Sequence, residues 1–206
     1  MISSEEERRK LTPILEKLIV SFPETYFSID TYNSETAQAA LEIGASMIND
    51  ISAGTVDSVM FETVAAFKAP YVLMHMQGTP LNMQEKPQYS DINKEVKSFL
   101  IRQTQAATAA GINDVIIDPG FGFGKTVTHN YSLLKELDSL TDLNCPILLG
   151  ISRKSMIYKR LNSSPDQALN GTTALHAWGL DRGASILRVH DVKEAKECVD
   201  LWTALH

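Results

Sequence analysis

The chain has two cysteines in 206 residues, Cys145 and Cys198, and they lie far apart and outside any Cys-x-x-Cys or Cys/His cluster. A disulfide framework and a structural zinc site are therefore excluded, and a reduced, cytoplasmic setting is the expectation. Basic charge is scarce as well. Nineteen Lys and Arg against 25 Asp and Glu leave a formal net charge of -6, with a sequence pI near 5.4, and no basic run offsets this. A general nucleic-acid or membrane surface lacks its charge, which leaves a small molecule or a protein as partner. No apolar run approaches the roughly 18 residues of a membrane span, and the opening MISSEEERRK is too charged for a signal peptide. A linker, a low-complexity segment and a repeat are all missing, so residues 1–206 read as a single domain. H-E-x-x-H and a Ser-His-Asp order are absent too, and with them the parts for zinc hydrolysis and acyl transfer.

What is present centres on Asp114 to Thr126, DVIIDPGFGFGKT. Val115, Ile116 and Ile117 form an unbroken β-branched run, the pattern of a strand buried on both faces of a parallel sheet. Asp118 and Pro119 end it. Gly120, Gly122 and Gly124 then alternate with Phe121 and Phe123, so the backbone can turn sharply beside an aromatic face. A Walker A loop needs glycine where Pro119 stands, and the dinucleotide fingerprint needs G-x-G-x-x-G rather than G-x-G-x-G. The loop reads as a ligand loop of another kind, or as a plain strand-to-helix connection.

Taken in order, the chain alternates helices and short strands. Ser3 and Ser4 with Glu6 and Glu7 start a helix whose stripe is Leu11, Ile14, Leu15, Leu18 and Ile19, and Pro13 is expected to kink or divide it. Strands are expected at Tyr26–Ile29, Ser46–Ile48, Pro70–Met74, the Asp114 segment, Pro146–Ile151 and Ser185–Val189. Helices are expected from Ser34, over Val56–Phe67, from Asp91, over Asn130–Leu137, around Met156–Arg160, over Gln167–Leu180 and over Val192–Leu205. The long connection after Met74 has the length of a functional loop. Six strands alternating with helices argue for a parallel sheet, either a doubly wound open sheet or a (β/α)8 barrel.

Each strand ends in polar residues: Asp30, Asn49, His75, Asp118, Ser152 with Lys154, and Arg188 with His190. Parallel strands bring their C-terminal ends to one rim, and convergence from all six suits a barrel mouth better than a single crevice. Each residue has a plainer role available. Asp30 and Asn49 can cap helices, His75 can be a satisfied core histidine, and Lys154 and Arg188 can be solvated surface charges. As a set, Asp118, Asp30 and Asn49 can satisfy the polar edge of a nitrogen heterocycle. Lys154, Arg188 and His190 can neutralise an anionic leaving group.

The segments SIDT at 28–31, INDIS at 48–52, LMHMQG at 73–78, DPGFGFGK at 118–125, GISRKS at 150–155 and RVHD at 188–191 together resemble the dihydropteroate synthase family of the folate pathway, a sulfonamide target. The resemblance implies a transferase of (β/α)8-barrel fold that joins 6-hydroxymethyl-7,8-dihydropterin pyrophosphate to p-aminobenzoate and releases pyrophosphate with magnesium help. It implies Asp118, Lys154, Arg188 and His190 as the catalytic set. Asp30, Asn49, Ile51, Met74, Asp118, Gly150, Lys154 and Arg188 would bind the pterin. Phe123, Ser152 and Lys154 would line the aminobenzoate side, and Arg188 and His190 would hold the pyrophosphate.

The family opens with two further strands and their loops, one carrying an Asn that binds magnesium, and this sequence begins at the helix after them. The expectation is thus an N-terminally truncated barrel of about six parallel strands, with no metal ligand of its own, pterin binding with impaired turnover, and homodimerisation through the late helices. A methyltetrahydrofolate-binding methyltransferase-type barrel and a non-catalytic pterin-binding or structural fragment are the alternatives at this point.

Overall fold

The computed structural model describes residues 3–78, 83 and 87–206, and the chain clusters into two compact units. Part of the long connection after Met74, singled out above by its length, lies outside the described residues.

The first unit comprises Met1–Met74 and Leu100–Ile116. It holds α1 (Ser4–Ser21), β1 (Ser28–Asp30), α2 (Ser34–Ile43), β2 (Met47–Asp50), α3 (Met60–Phe67) and β3 (Tyr71–Met74). The three strands pair in parallel, with Ile29 opposite Ile48 and Asp30 opposite Asn49, then Ile48 opposite Tyr71 and Asp50 opposite Leu73. Ile48, Tyr71 and Leu73 are fully buried, each such burial contributing about 1.5–3 kcal/mol.

The expected break at Pro13 does not occur, since α1 runs unbroken with Pro13 inside it. Pro13 and Arg9, the residue whose carbonyl loses its partner, both face solvent, where water can take up the freed carbonyl. Of the expected stripe only Leu15 is buried, and Ile14 is 58% exposed. The third helix starts at Met60 rather than Val56, and Val56 and Val59 are exposed. Glu7 on α1 ties the first helix to the loop after β1 by accepting hydrogen bonds from Thr31 Oγ1, Asn33 Nδ2 and Thr36 Oγ1 at 3.2, 2.6 and 2.9 Å.

The second unit comprises His75–Phe99 and Ile117–His206. Helix α4 (Ile92–Ala109) and strand β4 (Val115–Asp118) each contribute residues to both units, and the remaining elements are α5 (Val127–Lys135), β5 (Ile147–Leu149), α6 (Ser155–Tyr158), α7 (Leu169–Asp181), β6 (Ala184–Leu187) and α8 (Val192–Thr203). Ile117 pairs with Ile147, and β5 pairs in parallel with β6 through Leu148–Ile186 and Leu149–Leu187. Helix α5 begins three residues earlier than expected, because Thr126 and His129 form a reciprocal cap at its start. A 3-10 segment, Leu137–Leu143, follows it.

Candidate functional site

In the first unit the polar strand ends are built by register. Asp30 and Asn49 are lateral partners on neighbouring parallel strands, so their side chains leave the sheet on the same face, and Asn49 Nδ2 donates to Asp30 Oδ1 at 2.6 Å. Neither caps a helix: Asn33 precedes α2 and Val59 precedes α3. Ile51 follows directly, half-buried, and Met74 ends β3 fully buried.

The next residue along β2, Asp50, points the other way. It is fully buried, accepting from Ser52 N–H at 2.7 Å, from Gly54 N–H at 2.9 Å and from the Tyr71 hydroxyl at 2.5 Å. Burial and the neighbouring Asp50 push the Tyr71 phenol well above its usual range, so Tyr71 remains a donor. This buttress fixes the end of β2, which carries Asn49, and the turn after it, which carries Ile51. Sequence reasoning passed over Asp50 because a polar strand end looks alike whichever face it takes.

In the second unit Asp118 is buried, and its Oδ1 accepts the Gly120 N–H at 2.7 Å. Burial raises its carboxyl above the ordinary value, opposed by Lys154, the Gly120 N–H, Lys125 and Arg188 in turn. Gly150, just past β5, shows how closely the set converges. A Cβ built on it would stand 3.7 Å from Asp118 Oδ2, 3.8 Å from Lys154 Nζ and 3.9 Å from Arg188 Cδ. Acid, amine and guanidinium stem thus surround one point left open by a missing side chain.

Lys154 Nζ donates to the Phe121 carbonyl at 2.5 Å and lies 4.7 Å over the Phe123 ring, within cation–π range. Burial, with Arg188 acting in the same sense and Asp118 against it, brings its amine down to about 8. It is no plain surface charge. Ser152, expected with Phe123 to line the aminobenzoate side, is tied to His190, whose Nδ1 lies 2.9 Å and whose N–H lies 3.2 Å from the Ser152 hydroxyl.

The same two loops are latched by a pair the sequence reading missed. Arg153 adopts a positive φ of 54°, its N–H donates to Thr172 Oγ1, and its guanidinium grips Asp191 with both arms at 2.8 and 2.7 Å. The backbone strain turns Arg153 away from the direction taken by its neighbours and lets it join loops 38 residues apart. A flanking Asp in RVHD was the only available signal.

The glycine loop owes two of its glycines to close approach. At Gly120 a Cβ would collide with the His75 carbonyl oxygen, and at Gly124 one would stand 2.6 Å from that of Gln77, both at positive φ. Phe121 is fully buried as the loop's anchor, leaving Phe123 as the half-exposed aromatic.

Magnesium, the metal the resemblance implies, does not fit the donors present. Among the described residues no group of three or more His, Cys, Asp or Glu is placed to hold a metal ion. Asp118 stands among Lys154, Lys125 and Arg188, whose charges oppose a divalent cation there.

Residues 1–190 match the family model described as pterin binding enzyme. The chain belongs to that family. It is 42% identical over 200 residues to the dihydropteroate synthase of Escherichia coli K12, an alignment covering 96% of this chain and 70% of that protein. Among solved structures it resembles dihydropteroate synthase from Thermus thermophilus in complex with 6HMPPP, with 40% identity, a TM-score of 0.92, and 98% of this chain and 80% of that one covered. The same enzyme in complex with 4-aminobenzoate matches at 39% identity and TM-score 0.93, covering 100% and 79%. The fold is therefore of the (β/α)8-barrel class, of which this chain carries six parallel strands.

Proposed function

We propose that the point enclosed by Asp118, Lys154 and Arg188 beside Gly150 is the seat of a pterin pyrophosphate, and that these residues serve the dihydropteroate synthase reaction of the family. The convergence of one buried acid and two cations on an open glycine carries this reading. In that reaction the bond between the pterin methylene carbon and the pyrophosphate oxygen breaks, the aminobenzoate nitrogen bonds to the methylene and loses a proton, and pyrophosphate leaves.

The chain's groups suit those demands. Asp118 accepts from pterin ring N–H groups and stabilises the cation left as pyrophosphate departs. Lys154 joins the pterin and aminobenzoate ends, with Phe123 beside it. Arg188 stacks on the pterin, and with His190, held by Ser152, it takes the leaving anion. The amine nucleophile is neutral at pH 7, so no strong general base is required. Gly150 leaves room for the ring. The 4-aminobenzoate-bound and 6HMPPP-bound relatives support both substrate halves.

A homodimer through α7 and α8 belongs to the same proposal. Trp178 on α7 and Leu201 on α8 are 56% and 71% exposed, apolar surface that association would cover. A cytoplasmic location accords with the two unpaired cysteines.

Calorimetric titration with 6-hydroxymethyl-7,8-dihydropterin pyrophosphate tests the site. Binding by the native chain, weakened about 100-fold or more in Asp118→Ala by loss of a charge-assisted bond in a buried setting, is the expected result. Equal affinity of the two proteins would refute the assignment.

A further inference from the structure

The loop Gly120–Gly124 lies outside helix and strand, and only the Gly120 carbonyl has a backbone donor in the loop, the Phe123 N–H at 3.1 Å. Side chains supply the remaining donors. Lys125 Nζ donates to Gly120 O at 2.8 Å and to Phe123 O at 3.1 Å, Lys154 Nζ to Phe121 O, and the Tyr89 hydroxyl to Gly124 O at 2.8 Å. Lys125 is 4% exposed and also reaches the His75 carbonyl at 3.2 Å and His75 Nδ1 at 2.9 Å. His75, packed edge-on against Phe99 at 5.1 Å, is held by burial and by Lys125 down at about 3. It is thus neutral, with Nδ1 facing Nζ.

Burying an ammonium is costly, and here it drives the Lys125 amine down to about 7, with Lys154 acting in the same sense and Asp118 opposing. A residue needed only to fill that space could be apolar. The ammonium instead gathers the carbonyls on either side of Phe121, and the Phe121 carbonyl is the one that Lys154 holds.

We propose that Lys125 is the positioning residue for Lys154: by fastening Gly120 O and Phe123 O from inside the loop, braced by His75, it presents Phe121 O and the Phe123 ring to Lys154 and thereby fixes where the Lys154 charge stands beside Asp118. Its bearing on ligand affinity rests on the reading of the Gly150 point as a pterin seat; its bearing on Lys154 does not.

Lys125→Met keeps the length of the side chain and removes the charge. Two measurements test it on the full chain. In the native protein Lys154 Nζ lies over the Phe123 ring, so the adjoining Cε protons should resonate upfield of ordinary lysine; in Lys125→Met this ring-current shift is lost, and affinity for 6-hydroxymethyl-7,8-dihydropterin pyrophosphate falls at least tenfold. An unchanged Lys154 resonance in a folded Lys125→Met overturns the proposal. Should neither protein bind the pterin pyrophosphate while the resonance moves, the ligand reading fails and the positioning role stands. Should Lys125→Met not fold, His75 variants decide. His75→Asn, whose Oδ1 takes the place of Nδ1 and can still accept from Nζ, keeps the upfield shift, and His75→Leu loses part of it. Identical resonances in both would overturn the proposal.

Discussion

The two units hold their buried carboxylates, Asp50 and Asp118, by different physics. In the first, Asp30 meets an amide, Asn49, and Asp50 meets two backbone N–H groups and a phenol. Directed hydrogen bonds hold the buried Asp50 carboxylate. In the second, Asp118 stands among Lys154, Lys125 and Arg188, and two of these amines are brought well below the ordinary lysine value by burial. One carboxylate is thus held by directed hydrogen bonds, and the other has nearby cations that favour its charged form against the cost of burial.

Substitutions can break this comparison. The largest effect is expected at Asp50 in the first unit, and it falls on stability. Asp50→Ala strands two N–H groups and the Tyr71 hydroxyl in a buried setting, at a cost of about 3 kcal/mol or more, which lowers Tm by about 6–12 °C for a chain of this size. Thermal unfolding followed by circular dichroism checks this, and an unchanged Tm would remove Asp50 as the buttress of the end of β2.

Lys154 in the second unit is expected to act on binding rather than on folding. Its amine at about 8 is charged below that pH and neutral above it, so affinity for the pterin pyrophosphate is full at pH 7 and declines as pH rises through 8. Lys154→Met lowers affinity at pH 7 by about tenfold, the loss of one charge-assisted contact, and removes that decline. Titrations at pH 7 and pH 9.5 measure both, and a native chain whose affinity is flat across this range would show that the charge of Lys154 does not face the ligand.

Much of this was legible in the residues. The strand ending at Asp118, its glycine loop and the polar ends of the other strands were readable because strand and turn chemistry are local. The Asp30–Asn49 pair follows from two strands that each end in a polar residue. Other features depend on what lies across the fold. Pro13 was expected to kink or divide α1, yet the helix continues through it, with Pro13 and the Arg9 carbonyl on an exposed face where water can take up the lost bond. Lys125 shows no sign of burial in sequence, since its partners come from its own loop and from His75, 50 residues away. The Arg153–Asp191 latch joins two motifs that were read separately.

Gly150→Ala separates the site from the fold more directly than any charge removal. The added methyl meets only ordinary contacts with Asp118, Lys154 and Arg188, at 3.7–3.9 Å, so the chain should fold with a Tm within about 3 °C of the native value. The same methyl occupies the point assigned to the ligand. Calorimetric titration with 6-hydroxymethyl-7,8-dihydropterin pyrophosphate should therefore show binding by the native chain and none by Gly150→Ala. A folded Gly150→Ala that binds with native affinity would contradict the account.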